Sequence, residues 1–267
     1  MRALLPYLDA FRLGLMEALA YPSQIWTRLV MVPLAVAFQY AVYAAVFSSG
    51  EQRIGGLTLL EITGYVALVQ TLRTLFANNI SLFIGEAIRT GQIATYLLRP
   101  VAFPAFALAY IGGRGASQVL TVGLPTLATF AAIGALPAPA STAHFVAFLA
   151  LSLSGFLLYN LVFTLAGLLG FYVEFSGEIG WSVELVMMLL GGATVPLTLF
   201  PEALQRVLLV LPFRHIYFVP IEAWLGKIPA SGLLPAFLYT LGWAAVLTLA
   251  VAVVYDRGRR HLSIQGG

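Results

Sequence analysis

Apolar residues fall along the chain in six long runs, at about 25–47, 59–84, 103–134, 143–172, 181–199 and 232–255. Each is close to or beyond the ~20 residues that a helix needs to cross the hydrocarbon core. Helix is the form required, because in lipid every backbone N–H and C=O has to be bonded within its own segment. The third and fourth runs exceed one crossing, so part of each tilts, kinks or lies along the interface. The pattern predicts an all-α integral membrane protein with six transmembrane helices over residues 25–255.

Residues 1–24 read differently. Leu4, Leu8, Phe11, Leu15 and Leu19 share one helical face, while Arg2, Asp9 and Glu17 fall on the other. This is the pattern of an amphipathic helix lying on a membrane surface. It is not a signal peptide, since Asp9, Arg12 and Glu17 interrupt the apolar core and no small-residue cleavage site follows. Pro22 then turns the chain into the first run.

Charge assigns the sides. Six crossings leave both termini on one face, and Arg2, Arg12, Arg28 and the basic tail at 256–267, with Arg257, Arg259 and Arg260, put that face in the cytoplasm. Arg89 and Arg99 fall on the same side. Arg206, Arg214 and Lys227 resist the rule, because the fifth connection should be external.

Composition agrees with the runs. Of 267 residues, 60% are hydrophobic and 9% charged, and the mean hydropathy is +0.93. A soluble domain carries roughly 25% charged residues, and this chain has too few polar groups to coat a water-facing surface. The net charge of +3 is spread singly, with no basic patch for nucleic acid. Cysteine is absent, which removes disulfides, thiolate metal sites and cysteine nucleophiles. Arginine supplies thirteen of the fourteen basic residues, Lys227 being the other, as in a GC-rich bacterial genome.

One polar segment between the second and third runs is sharply bounded: GEAIRTGQIATYLLRPVAF, residues 85–103. Gly91 suits the end of a helix, and Pro100 pushes Arg99 out of helical geometry. About two turns remain between them. There Ile93, Tyr96 and Leu97 share one face, and Gln92, Thr95 and Arg99 the other. A loop that only turned the chain would need fewer residues.

The run E-x-x-R-T-G-Q-I-x-x-Y-L-L-R-P-V resembles the coupling segment of ATP-binding-cassette (ABC) transporter permeases of the type-2, exporter-like class. Residues 191–220, GGATVPLTLFPEALQRVLLVLPFRHIYFVP, are similar to the segment between spans five and six of that class. The RTG…LLRP form is nearest to a bacterial subgroup in which two different permeases are often encoded beside one ATPase. The resemblance implies that the short helix docks on a cytoplasmic ATPase, with Glu86, Arg89, Gln92, Tyr96 and Arg99 as coupling residues. It implies two ATPase subunits as partners, a second permease, identical or paralogous, and a bacterial plasma membrane location. No cofactor is expected in this chain, with ATP and Mg in the partner. For Arg89 and Arg99, anchoring at lipid headgroups is the alternative.

Three further features carry chemistry. The second run holds Thr63, Gln70, Thr74 and Ser81 nearly in line, flanked by Arg73 and Asn78. An Arg near mid-membrane costs roughly 2.5–3.5 kcal/mol, so it should face protein or water. Gln70, Arg73, Thr74 and Asn78 are candidates for a translocation path or subunit interface; a hydrogen-bonded bundle interior is the alternative. Residues 196–230 contain prolines at 196, 201, 212, 220 and 229. Pro201 with Glu202 starts a short helix, Pro212 stops it, and 216–225 forms a second. By the resemblance these are external re-entrant helices, and Pro196, Pro201, Pro212 and Phe213 are candidate gate residues. Glu174 and Glu178, with Glu184 six residues later, are carboxylates at the cytoplasmic turn FYVEFSGEIG between spans four and five, solvated or in contact with the ATPase. His144, His215 and His261 sit on different elements and make no metal triad.

The chain lacks a GxxxxGK[ST] loop, so energy for transport has to come from a partner. An ion-coupled secondary transporter is the second reading, although mid-span acidic groups and an inverted repeat are lacking. An intramembrane enzyme is the third, with no nucleophile and base at one depth.

Overall fold

The computed structural model describes residues 4–48, 50, 52–76, 80–99, 101–173 and 176–260, apart from the side chains of 176–178. Among these residues the fold is all helical, without strands. Three helices are long and apolar enough to cross a membrane: α2 (Pro22–Phe47), α8 (Thr142–Leu168, extended by a 3₁₀ turn to Phe171) and α12 (Ala230–Arg260). Their outer faces remain apolar. Trp26, Leu34 and Phe38 on α2 and Leu234, Leu238 and Leu249 on α12 are exposed, which water would not tolerate over such an area.

The other long runs are interrupted. The second is α3 (Leu59–Phe76) and α4 (Ile80–Arg89), and Asn78 lies outside the described residues. The third is α6 (Phe103–Gln118), a π segment (Val119–Gly123) and α7 (Leu124–Ala132). Pro125 has no N–H for the Thr121 carbonyl, and the ladder widens just before it. The fifth, α9 (Ser176–Leu190), ends nine residues before the apolar run does, because Gly191 and Gly192 turn the chain. Glu184 lies inside α9, within the fifth apolar run. Glu174 and the Glu178 side chain are outside the described residues.

The core is built around α3 and α8. Nearly all of α3 is buried, whereas α2 buries only Val36. Phe76 stacks on Tyr159 at 5.5 Å between centroids and lies 5.1 Å from Tyr217, which joins α3, α8 and the chain after α9.

The first helix, α1 (Leu5–Leu19), packs along α6 by a face other than its leucine stripe. Ala10 and Gly14 are buried, and Leu8, Phe11 and Leu19 are exposed. A Cβ on Gly14 would run into the Tyr110 carbonyl, and one on Gly113 into the Phe11 carbonyl. One glycine on each helix lets the backbones approach, and the leucines are left for lipid.

Candidate functional site

The coupling segment takes its shape from its ends. α4 closes with Thr90 donating its hydroxyl to the Glu86 carbonyl at 2.7 Å. Glu86 accepts two bonds from Arg89, at 2.9 and 2.5 Å. Arg89 thereby holds the Glu86 carboxyl below the usual carboxylate range, and the carboxylate raises Arg89 in return. Both side chains are exposed, so the pair shapes the surface without adding much stability. Gly91 then adopts φ +75°, a conformation that side chains disfavour, and reverses the chain.

The next element, α5 (Ile93–Leu97), is a helix with two distinct faces. Ile93 is 1% exposed, and Tyr96 packs between Phe103 at 4.5 Å and Phe106 at 5.3 Å. Gln92, Thr95 and Leu98 stand out from the body, Leu98 at 89% exposure. Arg99 lies 5.8 Å from the Tyr96 ring centre. The segment therefore separates its residues: Tyr96 holds α5 to α6, whereas Gln92, Thr95 and Leu98 are available to a partner. Leu97, placed on the inner face by spacing, is 38% exposed. Leu98 is absent from the residues that the sequence singles out, its only signal being its place beside Leu97 in an apolar pair. Pro100 lies outside the described residues. The backbone N–H of Ala102 donates to the Tyr7 hydroxyl at 3.1 Å, which ties α1 to the end of the segment.

A second polar cluster has no counterpart in the sequence pattern. Glu17, assigned to the solvent face of the first helix, turns inward to accept from the Tyr110 hydroxyl and from Arg114 at 3.2 Å. Arg28 of α2 donates to Gln118 of α6. Glu17, Arg28, Arg114 and Gln118 line a small polar cavity of about 90 Å³. Arg114 would be costly in lipid, and Glu17 supplies the opposite charge that lets it stay.

The polar residues of span two are mostly enclosed. Gln70, Thr74, Thr63 and Ser81 are buried. Thr74 donates to the Thr71 carbonyl at 2.7 Å, and Thr63 to the Leu59 carbonyl at 2.8 Å. Gly123 of the π segment sits against Thr71 and Thr74, so the threonines mark where α3 meets the widened turn. Arg73 remains partly exposed.

Beyond α9 the chain forms a 3₁₀ turn at Leu197–Leu199 after Pro196 and then α10 (Glu202–Val210), with Pro201 at its N-cap. Pro212 begins another 3₁₀ turn, Pro212–His215, followed by α11 (Phe218–Trp224). Pro212 is buried, and Phe213 reaches an apolar cavity of about 540 Å³ between α8 and α9. The two short helices differ. α11 is buried and tied on several sides: the Trp224 indole donates to the Pro137 carbonyl at 2.9 Å, and Lys227 pairs with Glu61 at 2.5 Å. His215 meets Thr240 at 2.8 Å. α10 has one buried residue, Leu208, and its C-terminal end is held by Tyr239 donating to the Val210 carbonyl at 2.7 Å.

The basic residues that defied the sidedness rule have local partners. Arg206 pairs with Glu202 at 2.8 Å, Lys227 with Glu61, and Arg214 lies over Phe218 at 5.7 Å. Among the described residues no group of His, Asp and Glu forms a metal site.

Neither the curated proteins nor the solved structures gave a match to the chain. A family model described as ABC-2 family transporter protein matches residues 32–266. That span takes in the coupling segment, the proline-divided segment and every long helix except the start of α2. The chain therefore belongs to the ABC-2 transporter family and is a multi-pass membrane permease, the non-catalytic transport subunit of an ABC transporter that works with ABC ATPase subunits.

Proposed function

We propose that the chain is the permease of a bacterial plasma-membrane exporter in which α5 docks on the cytoplasmic ATPase and Tyr96 passes its motion to the bundle. The observation that carries this reading is the division of α5 between a seated face, Ile93 and Tyr96, and a free one with Leu98. An exposed leucine beside polar Gln92 and Thr95 is a docking knob with a polar rim. Glu86 and Arg89 flank it as a compact ion pair, and Arg99 shields Tyr96. ATP and magnesium belong to the partner.

On this reading the crossings are α2, α3 with α4, α6 with α7, α8, α9 and α12. Six crossings put α1 and the arginines at the end of α12 together in the cytoplasm. Two permeases with two ATPases then form the pathway. The sparse burial of α2 and the outward Trp181 and Leu185 of α9 supply surface for the second permease. Arg73 is the polar residue of span two assigned to that pathway; Gln70 and Thr74 support it from within. At the external mouth α10 is the moving part of the gate, and Pro201 and Pro212 are its ends.

Co-expression with the ATPase tests the reading. Leu98→Asp should leave the permease inserted and folded while the ATPase no longer co-purifies. Co-purification at the wild-type level would overturn it.

A further inference from the structure

A groove separate from span two and from the proline-divided segment begins beside Leu97 at the end of α5. It has a volume of about 810 Å³ and runs between the start of α6, the second half of α8 and the end of α12. Its floor is apolar, with Val101, Leu108, Leu157, Leu161 and Val251 among the lining residues, and Arg99 and Arg259 stand at one end.

Charge at that end is unbalanced. Arg259 and Arg260 share the single carboxylate Asp256. Among the described residues Arg99 has no carboxylate within ion-pair distance, only the ring of Tyr96. Three guanidinium groups thus meet one carboxylate at a membrane surface, where bare cations attract anionic headgroups.

Length decides the class of ligand. Along α12 the groove extends from Thr248 to Arg259. At 1.5 Å per residue this is about 16 Å, against about 15 Å for half of a 30 Å hydrocarbon core. The groove is therefore one leaflet deep, apolar along that depth and cationic where the headgroups begin. Covering acyl methylenes gains little relative to bulk lipid, so selectivity rests on the arginines.

We propose that this groove holds one anionic phospholipid from the leaflet on the side of α5, with its phosphate between Arg99 and Arg259 and an acyl chain along α12. The bound lipid lies between the end of the coupling segment and the last helix, beside the hydrogen bond that Tyr255 makes with the Phe103 backbone. The site depends on the chain lying in a membrane, and it stands whether or not α5 docks on an ATPase.

Native mass spectrometry of the full-length permease, purified in detergent and exchanged with phosphatidylglycerol or phosphatidylcholine, reads the site directly. Wild type should retain one phosphatidylglycerol per chain in preference to phosphatidylcholine. The double variant Arg99→Gln, Arg259→Gln should retain phosphatidylglycerol about tenfold less. A second double variant, Ala105→Trp with Ala252→Trp, fills the groove from two exposed lining positions, leaves both arginines in place and should lose the lipid to a similar degree. Equal retention of the two lipids by wild type would overturn the proposal. So would unchanged phosphatidylglycerol retention in either variant. Because no ATPase enters the measurement, failure here is distinct from failure of the coupling reading.

Discussion

Tyr65, in the middle of α3, donates its hydroxyl to the carbonyl of Gly192, 2.6 Å away, at the turn where α9 ends. Gly192 has φ +83°, and a Cβ there would sit 2.8 Å from the same hydroxyl and 3.1 Å from Phe218. One bond thus holds the buried helix, the end of α9 and the start of the proline-divided segment. Tyr65→Phe leaves a buried carbonyl without its donor and should cost about 1–3 kcal/mol, read as a lower melting temperature in detergent. Gly192→Ala should cost at least as much, because it adds a strained backbone to the lost space.

The pairing of Glu17 with Arg114 makes α1 part of the bundle. Removing Glu17 leaves a partly buried guanidinium without its counter-ion, so Glu17→Ala should destabilise by roughly 2 kcal/mol. It should also expose α1 to protease. The exchange Glu17→Arg with Arg114→Glu should recover part of the loss, whereas a purely steric role for Glu17 predicts no recovery.

Glu222 on α11 gives a pH signature. Burial raises its carboxyl to about 7, against the opposing pull of Arg214 and Lys227. A carboxyl raised on folding contributes stability that is present at low pH and lost as pH rises through about 7. On acidification from pH 8 the protein should therefore become more stable, and in Glu222→Gln that gain should vanish. Thermal melts across this range in both proteins check it.

Much of this architecture is legible in the chain. Pro201 and Pro212 mark the ends of α10 within a residue or two, because proline acts through local geometry that needs no tertiary partner. Gly91 likewise announces α5. The docking of α1 is not legible. Its leucines form the stronger periodic signal, yet Gly14 packs on the Tyr110 backbone and Gly113 on the Phe11 backbone, partners remote in sequence, and small residues leave no mark in an apolar pattern. Glu17 is misplaced by its sequence pattern for the same reason: its partner, Arg114, is equally remote. The early end of α9 depends on how Gly191 and Gly192 pack against Tyr217 and Phe218, which the run of apolar residues conceals.

The absence of native cysteine makes the external mouth open to labelling. Leu204→Cys on α10 should react with a membrane-impermeant thiol reagent from outside, and its rate should change when the ATPase is trapped with nucleotide. Thr95→Cys on α5 should react only from the cytoplasmic side. Labelling of position 204 from the cytoplasm alone would reverse the topology, and an external rate indifferent to nucleotide would remove the gate.

Docking and transmission are separable within α5. Tyr96→Ala removes the ring between Phe103 and Phe106 without touching Leu98. It should leave the ATPase bound while ATP hydrolysis no longer drives export. Loss of the ATPase from this variant would place Tyr96 in the docking surface instead.

The most direct measurement is site-specific photo-crosslinking in intact membranes, with the photoreactive residue at Leu98 and, as control, at Leu204. At Leu98 it should capture one chain that binds ATP, with a yield that changes when hydrolysis is blocked. At Leu204 it should capture no such chain. An ATP-binding adduct at Leu204, or none at Leu98 in a complex that still transports, would contradict the assignment of α5 as the ATPase-docking element.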